Sequence, residues 1–235
     1  MLQVRNLTVR YRSVTAVRNV SFDINEGSIV ALVGANGAGK SSVLESISGM
    51  KRPVEGQILF QGERIETQRA HNVMNMGIAH VPEGRLIFTR LSVGENLEVA
   101  TPKGLARFET LARREKVLSL LPELADRLNM PASTLSGGQQ QLLAVGRGLM
   151  AAPRLLLLDE PTLGLSPVAT SRMFALMADL AAEGMTLLLV DQNVNRVLRL
   201  VSEVHVLDNG EITLAGSAQD LSRDIRIKEA FLGGS

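Results

Sequence analysis

The 235-residue sequence has no cysteine, no tryptophan and a single tyrosine. Without cysteine there can be no disulfide and no thiolate zinc site, which suits a reducing cytoplasm. A strong net charge is also missing. Lys and Arg number 25 against 24 Asp and Glu, so the bulk charge carries no nucleic-acid footprint. Long apolar runs are absent: Leu155–Leu158 and Thr186–Val190 are of strand length, far below the roughly 20 residues that a membrane helix needs. The opening MLQVRNLTVRYRS places charges where a signal peptide needs an apolar stretch. The expectation is a chain that is soluble by itself, with no repeat and no low-complexity linker.

Apolar residues make up 45% of the chain, enough for a sizeable core. The length suits one large domain, or one domain with a subdomain. LQVRNLTVRY and VRNVSFDIN alternate apolar and polar residues as half-solvated antiparallel strands do. SIVALV (28–33), GIAHV (77–81), RLLLLDE (154–160) and MTLLLVD (185–191) are nearly all apolar, as strands of a parallel sheet covered on both faces are. Helical stretches over Lys40–Gly49, Pro167–Ala182 and Asn193–Val201 separate them, which predicts an α/β sheet flanked by helices. Between about 86 and 150 the strand signal vanishes. LARFETLARREKVLSLLPELADRL has helical spacing there, and the basic run within it is the solvated face of a helix. That span is expected to be a helical subdomain inserted into the core, with 1–85 and 151–235 forming the rest of a single domain. HVLDNGEITL predicts a hairpin turning at Asn209–Gly210, and Pro53–Gly56 is turn chemistry.

GANGAGKS (34–41) follows a buried strand and opens a helix, which is the context a phosphate-binding P-loop requires. Gly34, Ala35, Asn36, Gly37, Ala38 and Gly39 would wrap phosphates with backbone N–H groups, with Ser42 next in line. Lys40 would reach the β- and γ-phosphates, and Ser41 would ligate Mg²⁺. LLLLDEP (155–161) brings two carboxylates to the C-terminal end of a strand, where open α/β sheets bind ligands. Asp159 would hold Mg²⁺, and Glu160 would polarise an attacking water. LSGGQQQ (135–141) looks like a second anion site. Ser136 is a good N-cap, Gln139 is placed to close a capping box, and Gly137 and Gly138 leave the first turn bare.

The order P-loop, LSGGQ, acidic strand resembles the ATP-binding cassette ATPases over essentially the whole chain. The resemblance implies a P-loop NTPase (RecA-like) core, mostly parallel, with an N-terminal antiparallel β subdomain and the inserted helical one. It implies ATP and Mg²⁺ as cofactors, and two cassettes paired head to tail. Leu135, Ser136, Gly137, Gly138 and Gln139 would then face ATP held on the partner's P-loop. Tyr11 stands where family members stack an aromatic on adenine; an ordinary core or edge-strand aromatic is the other reading. Arg147 continues the signature helix in a structural role.

Three positions depart from the common family pattern. Glu83 stands where most cassettes have glutamine, Ser166 where most have aspartate, and Gln192 where most have a histidine near the γ-phosphate. Glu83 adds a negative charge beside a triphosphate unless Mg²⁺, as a ligand partner, or Arg85 offsets it. Gln192 offers a neutral hydrogen bond in place of a charge-assisted one, so slower hydrolysis is expected at this P-loop. VPEGR, LGLSP, VDQN and the ending KEAFLGG resemble the LivF type of ATPase subunit from branched-chain amino acid importers. The resemblance implies integral membrane permease subunits, a second cassette (a different chain, or a copy of this one) and, indirectly, a periplasmic substrate-binding protein. It implies a peripheral position on the cytoplasmic face of the inner membrane, and no nucleic-acid partner. In IFTRLSVGENL (87–97), Ile87, Phe88 and Leu91, rimmed by Arg90 and Glu95, would receive a membrane subunit, or else form ordinary subdomain core. His71, His80 and His205 lack metal-ligand spacing and are expected to be structural. The alternatives are the same role in a urea or short-amide importer, or a lipid or polysaccharide exporter. A cassette acting on DNA or ribosomes and a small-molecule P-loop kinase fit less well.

Overall fold

The computed structural model describes residues 1–102 and 104–223. The chain opens with β1 (Leu2–Tyr11), β2 (Val14–Ile24) and β3 (Ile29–Val33), followed by α1 (Lys40–Ile47). Next come β4 (Glu55–Phe60), β5 (Glu63–Arg64), α2 (Ala70–Asn75) and β6 (Ile78–Val81). A helical stretch follows: α3 (Val93–Val99), α4 (Arg107–Leu120), α5 (Pro122–Ala125), a 3₁₀ turn at Ala132–Thr134 and α6 (Gly137–Met150). Then come β7 (Leu155–Asp159), α7 (Pro167–Ala182), β8 (Thr186–Asp191), α8 (Val194–Val197), β9 (Glu203–Asp208), β10 (Glu211–Ser217) and α9 (Ala218–Leu221), the last element among the described residues.

Two sheets result. A four-stranded antiparallel sheet has the order β2-β1-β4-β5, and a six-stranded sheet the order β10-β9-β3-β8-β7-β6. Within the second, β6, β7, β8, β3 and β9 run parallel, and β10 is antiparallel at one edge. Alternation along the buried strands explains how the layers stack. Leu156, Leu158, Leu187 and Leu189 join one apolar cluster with α3, α4, α6 and α7. Leu155, Leu157, Leu188 and Val190 point the other way, into a cluster with α1, β1, β2 and β4. A strand buried on both faces has no solvent side, hence the unbroken run of leucines.

The structure departs from the sequence reading in several local details. The helix expected over Asn193–Val201 is one regular turn, Val194–Val197, begun by the Asn193 side chain accepting from Arg196 N–H. Ser202 N–H and Oγ then bond to Ile29 O, which draws the chain alongside β3 and into β9. α1 stops at Ile47, before Gly49 at φ +73°. The long helical run divides into α4 and α5, because Pro122 cannot continue the helix before it. β4, which the sequence reading passed over, begins at Glu55, within the stretch expected to be a turn at Pro53–Gly56. The Asn209–Gly210 turn has positive φ at both residues, 48° and 85°, as a type I′ hairpin needs. KEAFLGG lies outside the described residues. Among the described residues, no helix is long and apolar enough to cross a membrane.

Candidate functional site

The loop between β3 and α1 turns at Gly39, with φ +104°, and a Cβ there would stand 2.3 Å from Ala16 O. Only glycine fits both the conformation and the space. Lys40 begins α1 and is buried. Its Nζ donates to Gly34 O at 2.9 Å and Ala35 O at 3.0 Å, and lies 3.4 Å from Glu160 Oε1. The ammonium is therefore held over the mouth of its own loop, beside the acid that follows β7, two strands away in the sheet.

β7 delivers Asp159 and Glu160 from the buried sheet to the same place. Ser41 Oγ donates to Asp159 Oδ1 at 3.2 Å. Burial, chiefly, pushes the Asp159 carboxyl up to about 6; the Ser41 bond and Lys40 oppose the rise, and the charges of Glu160 and Glu83 add to it. Glu160 stands at φ +45°, a left-handed conformation that is strained for a non-glycine residue, and its N–H is tied to Val190 O at 2.9 Å. Gln192, just past β8, donates from Nε2 to Glu160 Oε2 at 2.8 Å and Oε1 at 3.0 Å, and also to Asn36 Oδ1. Asn36, Lys40, Ser41, Glu160 and Gln192 line one cleft of about 470 Å³ with Gly37, Gly39, Ser42, Glu83 and Leu163, whereas Asp159 is buried and reaches it only through its bond to Ser41.

Among the described residues, no cluster of three or more His, Cys, Asp or Glu is disposed to hold a metal. The Ser41 and Asp159 oxygens nevertheless suit Mg²⁺, which takes one or two protein oxygens and completes its octahedron with substrate phosphates and water. Glu83 is exposed on the same cleft, and its influence on Asp159 is through its charge.

Sequence reasoning missed one further buried carboxylate. Asp191 is buried at the end of β8, accepting from Thr162 Oγ1 at 3.0 Å and Asn193 N–H at 2.7 Å. It locks the loop after β7 to the one after β8, and burial, chiefly, raises its pKa. The signal was present in VDQN, where the Asp precedes Gln192.

Tyr11 does not line the cleft. It is 39% exposed at the end of β1; its hydroxyl donates to Glu45 on α1, and Lys51 Nζ lies 4.3 Å from the ring centre. Burial, then the Glu45 bond, raises its pKa. The ring is thus braced by a residue of the helix that carries the P-loop, a pairing no local pattern revealed.

Residues 135–139 also stand apart from the cleft. Ser136 caps α6 with a complete capping box: Gln139 N–H donates to Ser136 Oγ at 3.3 Å, and Ser136 N–H to Gln139 Oε1 at 3.1 Å. A Cβ on Gly138 would meet the Ala169 Cβ at 2.6 Å, so α7 leaves room only for hydrogen. Leu135 is buried beneath. Arg85 NH1 donates to Gln140 Oε1 at 3.2 Å, next to this helix start. Ser166, in place of the more usual aspartate, N-caps α7 through Ala169 N–H.

A groove of about 800 Å³ runs between α2 and β6 on one side and α3 and α6 on the other; Met50, Met74, Leu86, Val99 and Arg147 are among its lining. Three of the five buried polar atoms that lack a partner among the described residues belong to its lining residues: His80 Nε2, Thr101 Oγ1 and Arg147 Nε. Arg147 donates from NH1 to Leu86 O at 2.6 Å, and its guanidinium carbon lies 4.6 Å from the Phe88 ring centre. Arg147 thus braces the loop after β6. Of the segment expected to dock a membrane subunit, Phe88 and Arg90 are exposed, Ile87 and Leu91 half-buried and Glu95 occupied in capping α3. None of residues 87–97 lines the groove: its lining from this part of the chain is Arg85 and Leu86 before the segment and Val99 to Pro102 after it.

Comparison with known proteins points in one direction. The sequence model of the ABC transporter family matches residues 17–163. The chain is 40% identical over 237 residues to the high-affinity branched-chain amino acid transport ATP-binding protein BraG of Pseudomonas aeruginosa, with all of both chains covered. It is 34% identical to the probable branched-chain amino acid transport ATP-binding protein LivF of Archaeoglobus fulgidus, covering 99% of each. It is 33% identical to the lipopolysaccharide export system ATP-binding protein LptB of Acidithiobacillus ferridurans, covering 99% of this chain and 97% of that one. An ATP-binding cassette of an ABC transporter, solved in its ADP conformation, superposes with a TM-score of 0.88 at 25% identity over 100% of this chain and 99% of that one. A second cassette, solved as a dimer after hydrolysis with ADP and phosphate, superposes with a TM-score of 0.83 at 25% identity over 93% of this chain and 99% of that one.

Proposed function

The chain belongs to the ATP-binding cassette family of ABC transporters, and from that premise we propose that it is the ATPase subunit of an importer for branched-chain amino acids. The observation that carries the mechanism is the convergence of Lys40, Glu160 and Gln192 in one cleft, at the carboxyl ends of β3, β7 and β8. ATP binds with its phosphates on the backbone N–H groups of 34–39 and on Lys40, and its adenine on Tyr11. Lys40 releases its carbonyl partners to meet the β- and γ-phosphates. When bound, Mg²⁺ would be held by the Ser41 hydroxyl and Asp159, and would supply positive charge to the phosphate oxygens.

A second cassette closes over this nucleotide, and Ser136, Gly137 and Gly138 close over the nucleotide of that partner. The bare first turn of α6 offers N–H donors and the positive end of its dipole to the γ-phosphate. Closure excludes bulk water and strengthens each electrostatic contact. Glu160 orients water for in-line attack on the γ-phosphate, and Lys40 stabilises the charge that spreads on its oxygens. Residues 86–150 act as a helical subdomain carried by the α/β core. The groove beside Arg147 receives the membrane subunits, and the chain works at the cytoplasmic face of the membrane.

The cargo never touches the cassette, so the importer reading leans on full-length similarity to BraG. The exporter reading leans on LptB relatives at lower identity. Light scattering of the Glu160→Gln protein with and without ATP tests the mechanism: a shift to twice the monomer mass is expected if two copies pair. No shift, in protein that binds ATP, assigns the signature face to a different cassette. Loss of labelled leucine uptake on removal of the chain tests the cargo.

A further inference from the structure

Both N–H groups of the Gln192 side chain are committed. One is directed to the Asn36 side-chain carbonyl, and the other to the Glu160 carboxylate, 2.8 and 3.0 Å from its two oxygens. The amide can stand only one way round. Turned over, its own carbonyl would face two carboxylate oxygens and a third acceptor on Asn36. The three residues are far apart in sequence and arrive from three places: Asn36 from the loop after β3, Glu160 from the end of β7, Gln192 from the end of β8. Glu160 needs such support, because its backbone is left-handed and strained. Lys40, the other group near its carboxylate, is 3.4 Å away and must turn toward phosphate.

We infer that Asn36 is a positioning residue for hydrolysis: its side-chain carbonyl sets the Gln192 amide with nitrogen toward Glu160, and Gln192 in turn aims the Glu160 carboxylate. This rests on the reading of Glu160 as the group that orients water. The backbone of Asn36 belongs to the phosphate loop, but its side chain works on the opposite wall of the cleft. The chain of contacts also gives a glutamine at 192 something to do that needs no positive charge. An amide holds its two N–H groups at every pH, and each has a partner here.

The test uses the transporter isolated through a tag on this chain, together with the subunits that accompany it. Turnover and KM for ATP are measured for Asn36→Ala, Gln192→Ala, the double variant and Asn36→Asp. ATP affinity of the isolated chain is measured by equilibrium dialysis. Loss of the neutral Gln192–Asn36 bond predicts that Asn36→Ala lowers kcat roughly 5- to 15-fold, and Gln192→Ala, which also loses its bonds to the Glu160 carboxylate, lowers it at least as much. KM and the affinity of the isolated chain stay within about twofold, and the double variant is no slower than Gln192→Ala alone. Asn36→Asp keeps an acceptor for Gln192, so it retains kcat to within about threefold and raises KM through its charge. Effects that multiply in the double variant overturn the inference. So does an unchanged kcat in Asn36→Ala, or a loss of ATP affinity large enough to account for its slower turnover. If Glu160→Gln turns over like the parent, the reading of Glu160 fails as well, and the two failures are thereby told apart.

Discussion

His205 sets a pH dependence on the stability of the fold. It lies on β9, 4% exposed, with its ring 5.3 Å from that of Phe22. Neither ring nitrogen has a hydrogen-bond partner among the described residues, although Nε2 is 3.3 Å from Glu203 Oε1 and would pair with it if charged. Burial holds the imidazole down to about 4, against a small opposing effect of Asp23. The folded state therefore resists a proton that the unfolded chain accepts near pH 6.5. The stability from this group is present above pH 6.5 and drains away as pH falls toward 4. With those two values the loss between pH 7 and pH 5 is about 2 kcal/mol, or roughly 4–8 °C in Tm for a chain of this size. His205→Leu removes the titration and leaves no broken hydrogen bond behind. The expected result is a variant whose Tm falls less than the parent's between pH 7 and pH 5 by about that amount. His80 is also held down to about 4 by burial, and Asp159 works in the opposite sense, but both remain in parent and variant. Thermal melts followed by circular dichroism at the two pH values decide it. Equal losses in the two proteins would refute the reasoning, because His205 would then be no source of acid sensitivity.

Gly138→Ala should abolish ATP-dependent pairing while leaving ATP binding by the chain's own P-loop intact, and should cost about 1–3 kcal/mol because its Cβ collides with Ala169. Light scattering and a melt read the two effects separately. Leu86 is 63% exposed in the groove and left-handed at φ +41°, a conformation asparagine tolerates better than leucine. Leu86→Asn should therefore match or exceed the parent in Tm, yet co-isolate less of the membrane subunits through a tag on this chain. Leu157→Ala should cost about 2–5 kcal/mol in a denaturant titration, since Leu157 is wholly buried between the two sheets.

Much of the protein was legible without coordinates, because the signals involved are local. Gly39 demands a backbone that only glycine adopts, and a buried strand before it with a helix after it makes a phosphate loop. Apolar runs such as LLLL can be satisfied only inside a sheet covered on both faces. Ser136 and Gln139 cap a helix by their spacing alone, and Asn209–Gly210 turns a hairpin by their tolerance of positive φ. Each of these needs no more than a few neighbouring residues, so sequence determines it. Resemblance to a family added what spacing cannot supply, a partner for the bare helix start.

Other features depended on which apolar faces meet. Gln192 lies 156 positions from Asn36 and 32 from Glu160, and meets both because the strand order places β8 between β3 and β7. Glu45 reaches the Tyr11 hydroxyl because α1 packs on the antiparallel sheet. The groove beside Arg147 exists because the helices from 93 to 150 pack against one face of the parallel sheet and leave a gap next to α2. α8 is short because Ser202 is pulled onto β3 by two hydrogen bonds to Ile29, although its local pattern would support more turns. These pairings are long-range, and their geometry is set by burial of whole strand and helix faces. Local propensity contributes tenths of a kcal/mol per residue, burying a large side chain contributes about 1.5–3, and where they compete the tertiary structure decides.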